Sequence, residues 1–152
     1  YQLLHKLFQE TNFNADELTV VWQSINVEHS CHYCVPAHTG IAKMMKVSDD
    51  ITEALRAETA LPSPKLEALR TFTIQMVRER GNVTDAQMKA FFDAGYGHRA
   101  VLDVILGLAQ KTMSNYINHV AKTPVDEAFQ PMAWQCGDPT HKRKSQTGPT
   151  FG

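Results

Sequence analysis

Two thiols and an imidazole stand close together in Cys31-His32-Tyr33-Cys34-Val35-Pro36-Ala37-His38. A Cys-x-x-Cys spacing lets two sulfurs close a small disulfide ring, and a histidine beyond the second can serve as a base. A free cysteine has a pKa of about 8.5, so little thiolate exists at neutral pH. Peroxide reduction needs that thiolate. It attacks the O–O bond and becomes a sulfenic acid, which a neighbouring thiol converts to a disulfide. The departing oxygen needs a proton, and His38 is the candidate shuttle, taking the thiol proton and returning it to the leaving group.

A helix would arrange these groups on one face. At about 3.6 residues per turn, Cys31, Cys34 and His38 fall within a sector of about 60°. His38 is then one turn from Cys34 and two from Cys31, which favours Cys34 as the attacking thiol and Cys31 as the resolving one. Glu28, one turn before Cys31, is the candidate carboxylate for orienting a histidine or relaying protons. Its plainer reading is a solvated carboxylate at a helix end. Ser30 is expected to cap a helix running from Cys31 to about Lys46. Pro36 should kink its first turn or mark its proper start. Either way the thiols lie near a helix N-terminus, where partial positive charge favours a thiolate.

The elements around this segment have helical rather than alternating apolar spacing, so the fold class is all-α. Asn14 with Glu17 has the form of a capping box opening a helix that carries Leu18, Val21, Trp22 and Ile25 inward and breaks near His29 or Ser30. Ser48-Asp49-Asp50 opens a short helix with Ile51, Ala54 and Leu55. Ser63-Pro64 starts another, striped with Leu66, Leu69, Phe72, Thr73, Met76 and Val77 and ended by Gly81-Asn82. Thr84 with Gln87 caps a helix holding Met88, Phe91 and Phe92, and Gly95-Tyr96-Gly97 makes the following turn. The longest helix is expected over about His98 to His119. One of its faces carries Leu102, Ile105, Leu106, Ala109, Met113, Tyr116 and Ile117; a second carries Val101, Val104 and Leu108. A helix apolar on two sides is either central or buried between subunits. Val125 to Trp134 should wrap back as a short docked segment.

The 152 residues form most simply one domain, over residues 1–134, followed by a polar, flexible tail over 135–152. Lys plus Arg number 15 and Asp plus Glu 16, a net charge of −1, which gives no pull toward nucleic acid or an anionic membrane. The small basic run His141-Lys142-Arg143-Lys144 is too short to change that. No apolar run is long enough to span a bilayer. Tyr1-Gln2-Leu3-Leu4-His5-Lys6 lacks the layout of a secretory signal and has no initiator Met. Three cysteines are not a secreted disulfide framework and fit a reducing, cytoplasmic compartment with a catalytic pair and a spare. Cys136 is read as that spare, with an extra resolving thiol as the alternative. His5 and His141 are expected to face solvent, and His98 and His119 to serve helix ends. Trp22, Phe91, Phe92, Tyr116, Met44, Met45 and Met76 are expected to pack.

Trp22 followed by Glu28-His29-Ser30-Cys31-His32-Tyr33-Cys34-Val35-Pro36-Ala37-His38-Thr39 resembles the carboxymuconolactone decarboxylase family, and within it the branch related to alkylhydroperoxidase D. Ser114-Asn115-Tyr116-Ile117-Asn118-His119 through Pro124-Val125-Asp126-Glu127-Ala128-Phe129 is similar to the family's closing region. The resemblance covers roughly residues 15 to 134. It implies an all-helical bundle of about six to eight helices, assembled as a homo-oligomer (a trimer or hexamer) with active sites near subunit contacts. It also implies a thiol-dependent peroxidase acting on hydroperoxides, with no cofactor and with a dithiol or thioredoxin-like electron donor. The roles it implies, attack by Cys34, resolution by Cys31 and deprotonation by His38, agree with the helical geometry. Two positions depart from the family pattern. Its glutamate twelve residues before the first cysteine is Thr19 here, and since Glu17 serves as a cap, Glu28 is the expected substitute. Its histidine just before the second cysteine is Tyr33 here, with His32 one position off.

Two other readings use the same residues. Cys31, Cys34 and His38, with His29 or His32, could bind zinc, although no second Cys/His pair follows to complete a structural site. The pair could also act as the switch of a non-enzymatic binding module. Covalent haem attachment needs a histidine where Val35 stands.

Overall fold

The structure is a computed structural model and describes residues 1–136. Its helices are α1 (Gln2–Gln9), α2 (Ala15–Glu28), α3 (Cys34–Met44), α4 (Asp49–Ala57), α5 (Pro64–Arg78), α6 (Asp85–Asp93) and α7 (His98–Ala121), with a 3₁₀ segment at Glu127–Met132. The class is all-α, with no strand among the described residues. The expected tail beyond Cys136, with His141 and the basic run, lies outside the described residues.

Local chemistry explains where the helices begin. Asn14 Oδ1 accepts from the Glu17 amide at 2.9 Å, while Glu17 Oε2 accepts from the Asn14 amide at 3.0 Å, satisfying two otherwise orphaned donors. Thr84 and Gln87 repeat the box on α6. Ser48 and Ser63 cap α4 and α5, and Pro64 occupies the first turn of α5, where its missing N–H costs nothing. Gly81 and Gly95, at φ of 85° and 96°, supply the left-handed residues after α5 and α6.

Helix α2 is the axis of the molecule and packs against α3, α4, α5 and α7. On its α5 side the core is apolar: Leu69, Phe72, Met76 and Phe91 are buried, and the rings of Phe72 and Phe91 stack with centroids 4.0 Å apart. On its α3 and α7 side the buried groups include Gln23, Asn26, His38, Gln110, Lys111 and Asn115. Helix α7 approaches closely there. A Cβ on Gly107 would lie 2.7 Å from Phe8 and 2.8 Å from Val21.

Several expectations are corrected. The thiol helix starts at Cys34, not Cys31, because Ser30 sits in the left-handed region at φ 54° and turns the chain instead of capping it. Pro36 falls in the first turn of α3 and leaves the helix intact. Of the two settings left open for the apolar face of α7, the central one is not seen: Leu102, Ile105, Met113 and Ile117 face out, Tyr116 is exposed with them instead of packing, and Val120 joins them at 86% exposure. The buried face holds Val104 and Gly107 with the polar Asp103, Gln110, Lys111 and Asn115. Met44 is also exposed. His5 is half-buried rather than solvent-facing, stacked on Trp22 at 5.5 Å and paired with Gln110 at 2.8 Å.

Candidate active site

Cys34 opens α3, and its turn is held by polar residues of α2. Gln23 Nε2 donates to the Val35 carbonyl and to Thr39 Oγ1, both at 3.1 Å, and Asn26 Nδ2 donates to Gln23 Oε1 at 2.9 Å. Asn115 of α7 donates to Asn26 Oδ1 at 2.9 Å, tying the third helix to the same network. The 3₁₀ segment closes the far side. Arg56 donates to the carbonyls of Met132 and Ala133, Trp134 Nε1 donates to the Arg56 carbonyl at 3.1 Å, and Phe129 packs where Gly40 leaves no side chain.

Cys31 lies just outside α3 and faces its first turn. Its sulfur accepts the Cys34 amide at 3.3 Å, so the Cys31 thiol occupies the place of a helix cap. Both sulfurs are buried and reduced. Cys34 Sγ accepts from Asn118 Nδ2 at 3.3 Å and lies 3.5 Å from Ser114 Oγ. The Cys34 thiol is held well below its ordinary range by a hydrogen bond from Cys31, against the opposing effect of burial. The Lys111 charge and hydrogen bonds from Ser114 and Asn115 add to the lowering. The same contact and burial push the Cys31 thiol up. The sulfurs are therefore unequal: their mutual contact lowers the Cys34 thiol and raises that of Cys31.

His38 follows Cys34 by one turn and lines the same cavity. Its ring is buried, 4.9 Å from Trp22, and its Nε2 lies 2.9 Å from Lys111 Nζ. When the ammonium donates there, the ring proton belongs on Nδ1, which has no partner. Burial first, then the charge of Lys111, holds His38 well below its ordinary value. Neutral imidazole is the favoured form.

The cavity above these groups has a volume of about 390 Å³. Tyr33, Ala37, Ile41, Ile117 and Phe129 give it apolar walls; Cys34, His38, Lys111, Ser114 and Asn118 supply the polar groups. Tyr33 is turned partly aside by donating to Asp126 at 2.7 Å, which pushes its hydroxyl up to about 12. A separate recess of about 350 Å³ is lined by Cys31, His32, Asn118, His119 and Lys122.

The structure does not bring Glu28 to the cysteines. Its carboxylate makes two 2.8 Å bonds to Arg78, on a different cleft whose lining holds neither thiol nor histidine. The physical reason is Ser30: the left-handed residue between Glu28 and Cys31 breaks the helical register that would have aligned them. Glu17 is occupied by its cap, by Tyr96 and by Lys65. Thr19 is buried in α2. Nor do the Cys and His groups weighed as a zinc site assemble, since no cluster of three or more metal-ligating side chains occurs among the described residues. His29 pairs with Asn115 at 3.0 Å, and His32 leans on the Trp134 carbonyl at 3.4 Å.

The residues missed by sequence reasoning are Lys111, Ser114, Asn115 and Asn118. They recur at i, i+3, i+4 and i+7, one stripe of α7. Polar residues at helical spacing opposite an apolar face were the available signal.

No family model matches this chain, and no curated protein matches it in sequence. Its fold does match solved structures. One is an uncharacterized peroxidase-related protein from Silicibacter sp. TM1040, at 14% identity and a TM-score of 0.75 over 84% of this chain and 69% of that one. Another is described as an alkylhydroperoxidase AhpD core, an uncharacterized peroxidase-related protein from Ralstonia eutropha JMP134. It has 17% identity and the same TM-score and coverages. Similarity at this identity is similarity of fold: the chain has an AhpD-like all-helical architecture.

Proposed function

We propose that this protein is a thiol-dependent peroxidase that reduces small organic hydroperoxides through Cys34 and Cys31. The observation that carries the reading is the setting of Cys34 Sγ. It lies at a cavity with apolar walls, has donors from Asn118 and Ser114, and has Cys31 directly behind it. The thiolate attacks the terminal peroxide oxygen, and the sulfenic acid so formed condenses with the Cys31 thiol, releasing water. His38 serves the proton movements, and its hydrogen bond to Lys111 places that lysine on the route. The descriptions of the two structural neighbours as peroxidase-related support the same chemistry.

The electron donor in this reading is a dithiol or a thioredoxin-like protein, which would dock over the recess beside Cys31 and must open it, since that sulfur is buried. The exposed apolar face of α7, with Leu3 and Leu7 of α1 also exposed, is the surface for a homo-oligomer, a trimer or hexamer. Light scattering should then report a mass well above that of one 17.1 kDa chain. Among the described residues no helix is long and apolar enough to cross a membrane. The free thiol pair that this reading requires fits a reducing compartment, the cytoplasm.

Steady-state turnover of an alkyl hydroperoxide with a dithiol donor tests the activity. Wild type should turn over and Cys34→Ser should not. Full activity in Cys34→Ser would sink the assignment.

A further inference from the structure

Lys111 is a cation in an unusual place. It is fully buried in the middle of α7, its Nζ lies 2.9 Å from His38 Nε2, and it shares the cavity of Cys34. None of the ion pairs among the described residues involves it, and the cavity lining contains no carboxylate. An ammonium ion taken out of water needs an anion to offset its desolvation. The anion available here is the Cys34 thiolate.

That pairing poses a difficulty during turnover. When Cys34 is oxidised, its negative charge disappears and Lys111 would be left as an unpaired buried cation. The leaving oxygen of the peroxide meanwhile departs as an alkoxide in the same cavity and needs a proton. One transfer resolves both.

Resting on the peroxidase reading above, we propose that Lys111 is the catalytic acid that protonates the leaving oxygen, with His38 Nε2 holding its amine in position. Cys34 sulfur bonds to the terminal oxygen of R–O–OH, the O–O bond breaks, and RO⁻ takes a proton from Lys111 to leave as ROH. Sulfur is oxidised to Cys34–SOH, the peroxide is reduced, and Lys111 becomes a neutral amine. Cys31–SH then displaces the sulfenic hydroxyl, which departs as water with the thiol proton. A dithiol donor afterwards returns two protons, one to Cys31 and one to Lys111. The thiolate–ammonium pair of the reduced site and the disulfide–amine pair of the oxidised site are both neutral, so no charge is stranded at either stage. Burial lowers the lysine below its ordinary value while the two cysteine sulfurs raise it, the direction expected of an amine that must give up and regain a proton. The titratable groups around it are His38 and Cys34 on α3, Cys31 before it, Tyr33 in the cavity wall, and Tyr1 and His5 at the α1 side.

The test compares peroxides whose leaving groups need a proton to different degrees. Stopped-flow oxidation of reduced protein is followed with tert-butyl hydroperoxide, which releases an alkoxide, and with peracetic acid, which releases a carboxylate. Lys111→Met should lose about 10²-fold or more on the first and less than about 10-fold on the second, the range general acids supply. Equal losses would overturn the proposal, because they would mean Lys111 acts only through the thiolate; no loss on either would overturn it too. Lys111→Arg keeps the charge but cannot release a proton, so it should show the same selective loss. If neither variant folds, wild type decides: the solvent deuterium isotope effect should be larger with tert-butyl hydroperoxide than with peracetic acid, and equal effects would contradict the assignment. Failure of wild type to react with either peroxide would instead remove the peroxidase reading itself.

Discussion

Helix α2 has two unlike neighbourhoods. Toward α5 and α6 it meets Leu69, Phe72, Met76 and Phe91, with Phe72, Phe91 and Tyr96 forming a column of stacked rings. Toward α3 and α7 it offers Gln23 and Asn26 to a buried network that reaches Cys34, His38, Lys111 and Asn115. The first region gains free energy from apolar burial and packing. The second spends some of it, because every buried polar group there must find a partner and a buried ammonium must find an anion. Stability and chemistry are thus kept on opposite sides of one helix. Under the peroxidase proposal, a thiolate at Cys34 is held in this low-dielectric site with the other half of the core supporting it.

This contrast can be broken from either side. The largest effect is expected at the sulfur: Cys34→Ser should reduce peroxide turnover by at least about 10³-fold, as removal of a nucleophile does. Phe72→Ala, in the stacked column, should cost about 3–5 kcal/mol in chemical denaturation while the folded fraction keeps its thiol reactivity. Lys111→Met should lower both properties, with peroxide reactivity falling and stability in chemical denaturation falling as well, because removing one partner of the buried thiolate–ammonium pair strands the other. Glu28→Gln, at a partly exposed pair with Arg78, should change stability by at most about 1 kcal/mol and leave the oxidation rate of Cys34 unchanged. A slowed rate there would return Glu28 to the proton path.

The pH dependence follows from the lowered Cys34 thiol. Its thiolate should persist, by ultraviolet absorbance, well below the range of an ordinary cysteine. A group whose folded pKa is depressed contributes stability that is fully present above its unfolded value and is lost as pH falls through the folded one. Cys34→Ser should therefore flatten the loss of stability seen on acidification through that window.

The two neighbourhoods also differ in how far they could be read from the chain. Asn14 with Glu17, Thr84 with Gln87 and Ser63 with Pro64 announce their helices by short-range chemistry, and the stripe from Leu66 to Met76 announces the apolar core by its period. Cys34 and His38 were legible because both lie within α3, where the spacing holds. Glu28 was misread because a single left-handed residue, Ser30, broke the register on which its alignment depended. Lys111 went unread since a lysine inside a helix is ordinarily solvated, and only the opposing face of α7 turns it inward. For the apolar face of α7 the sequence left a central and an intersubunit setting open, because periodicity marks an apolar surface without saying whether this chain or another covers it.

Mass spectrometry of the reduced protein before and after one equivalent of an organic hydroperoxide tests the central claim most directly. The account predicts rapid loss of two hydrogens, mapped to a Cys31–Cys34 disulfide. Thiols that stay reduced, or oxidation that leaves Cys34 untouched, would contradict it.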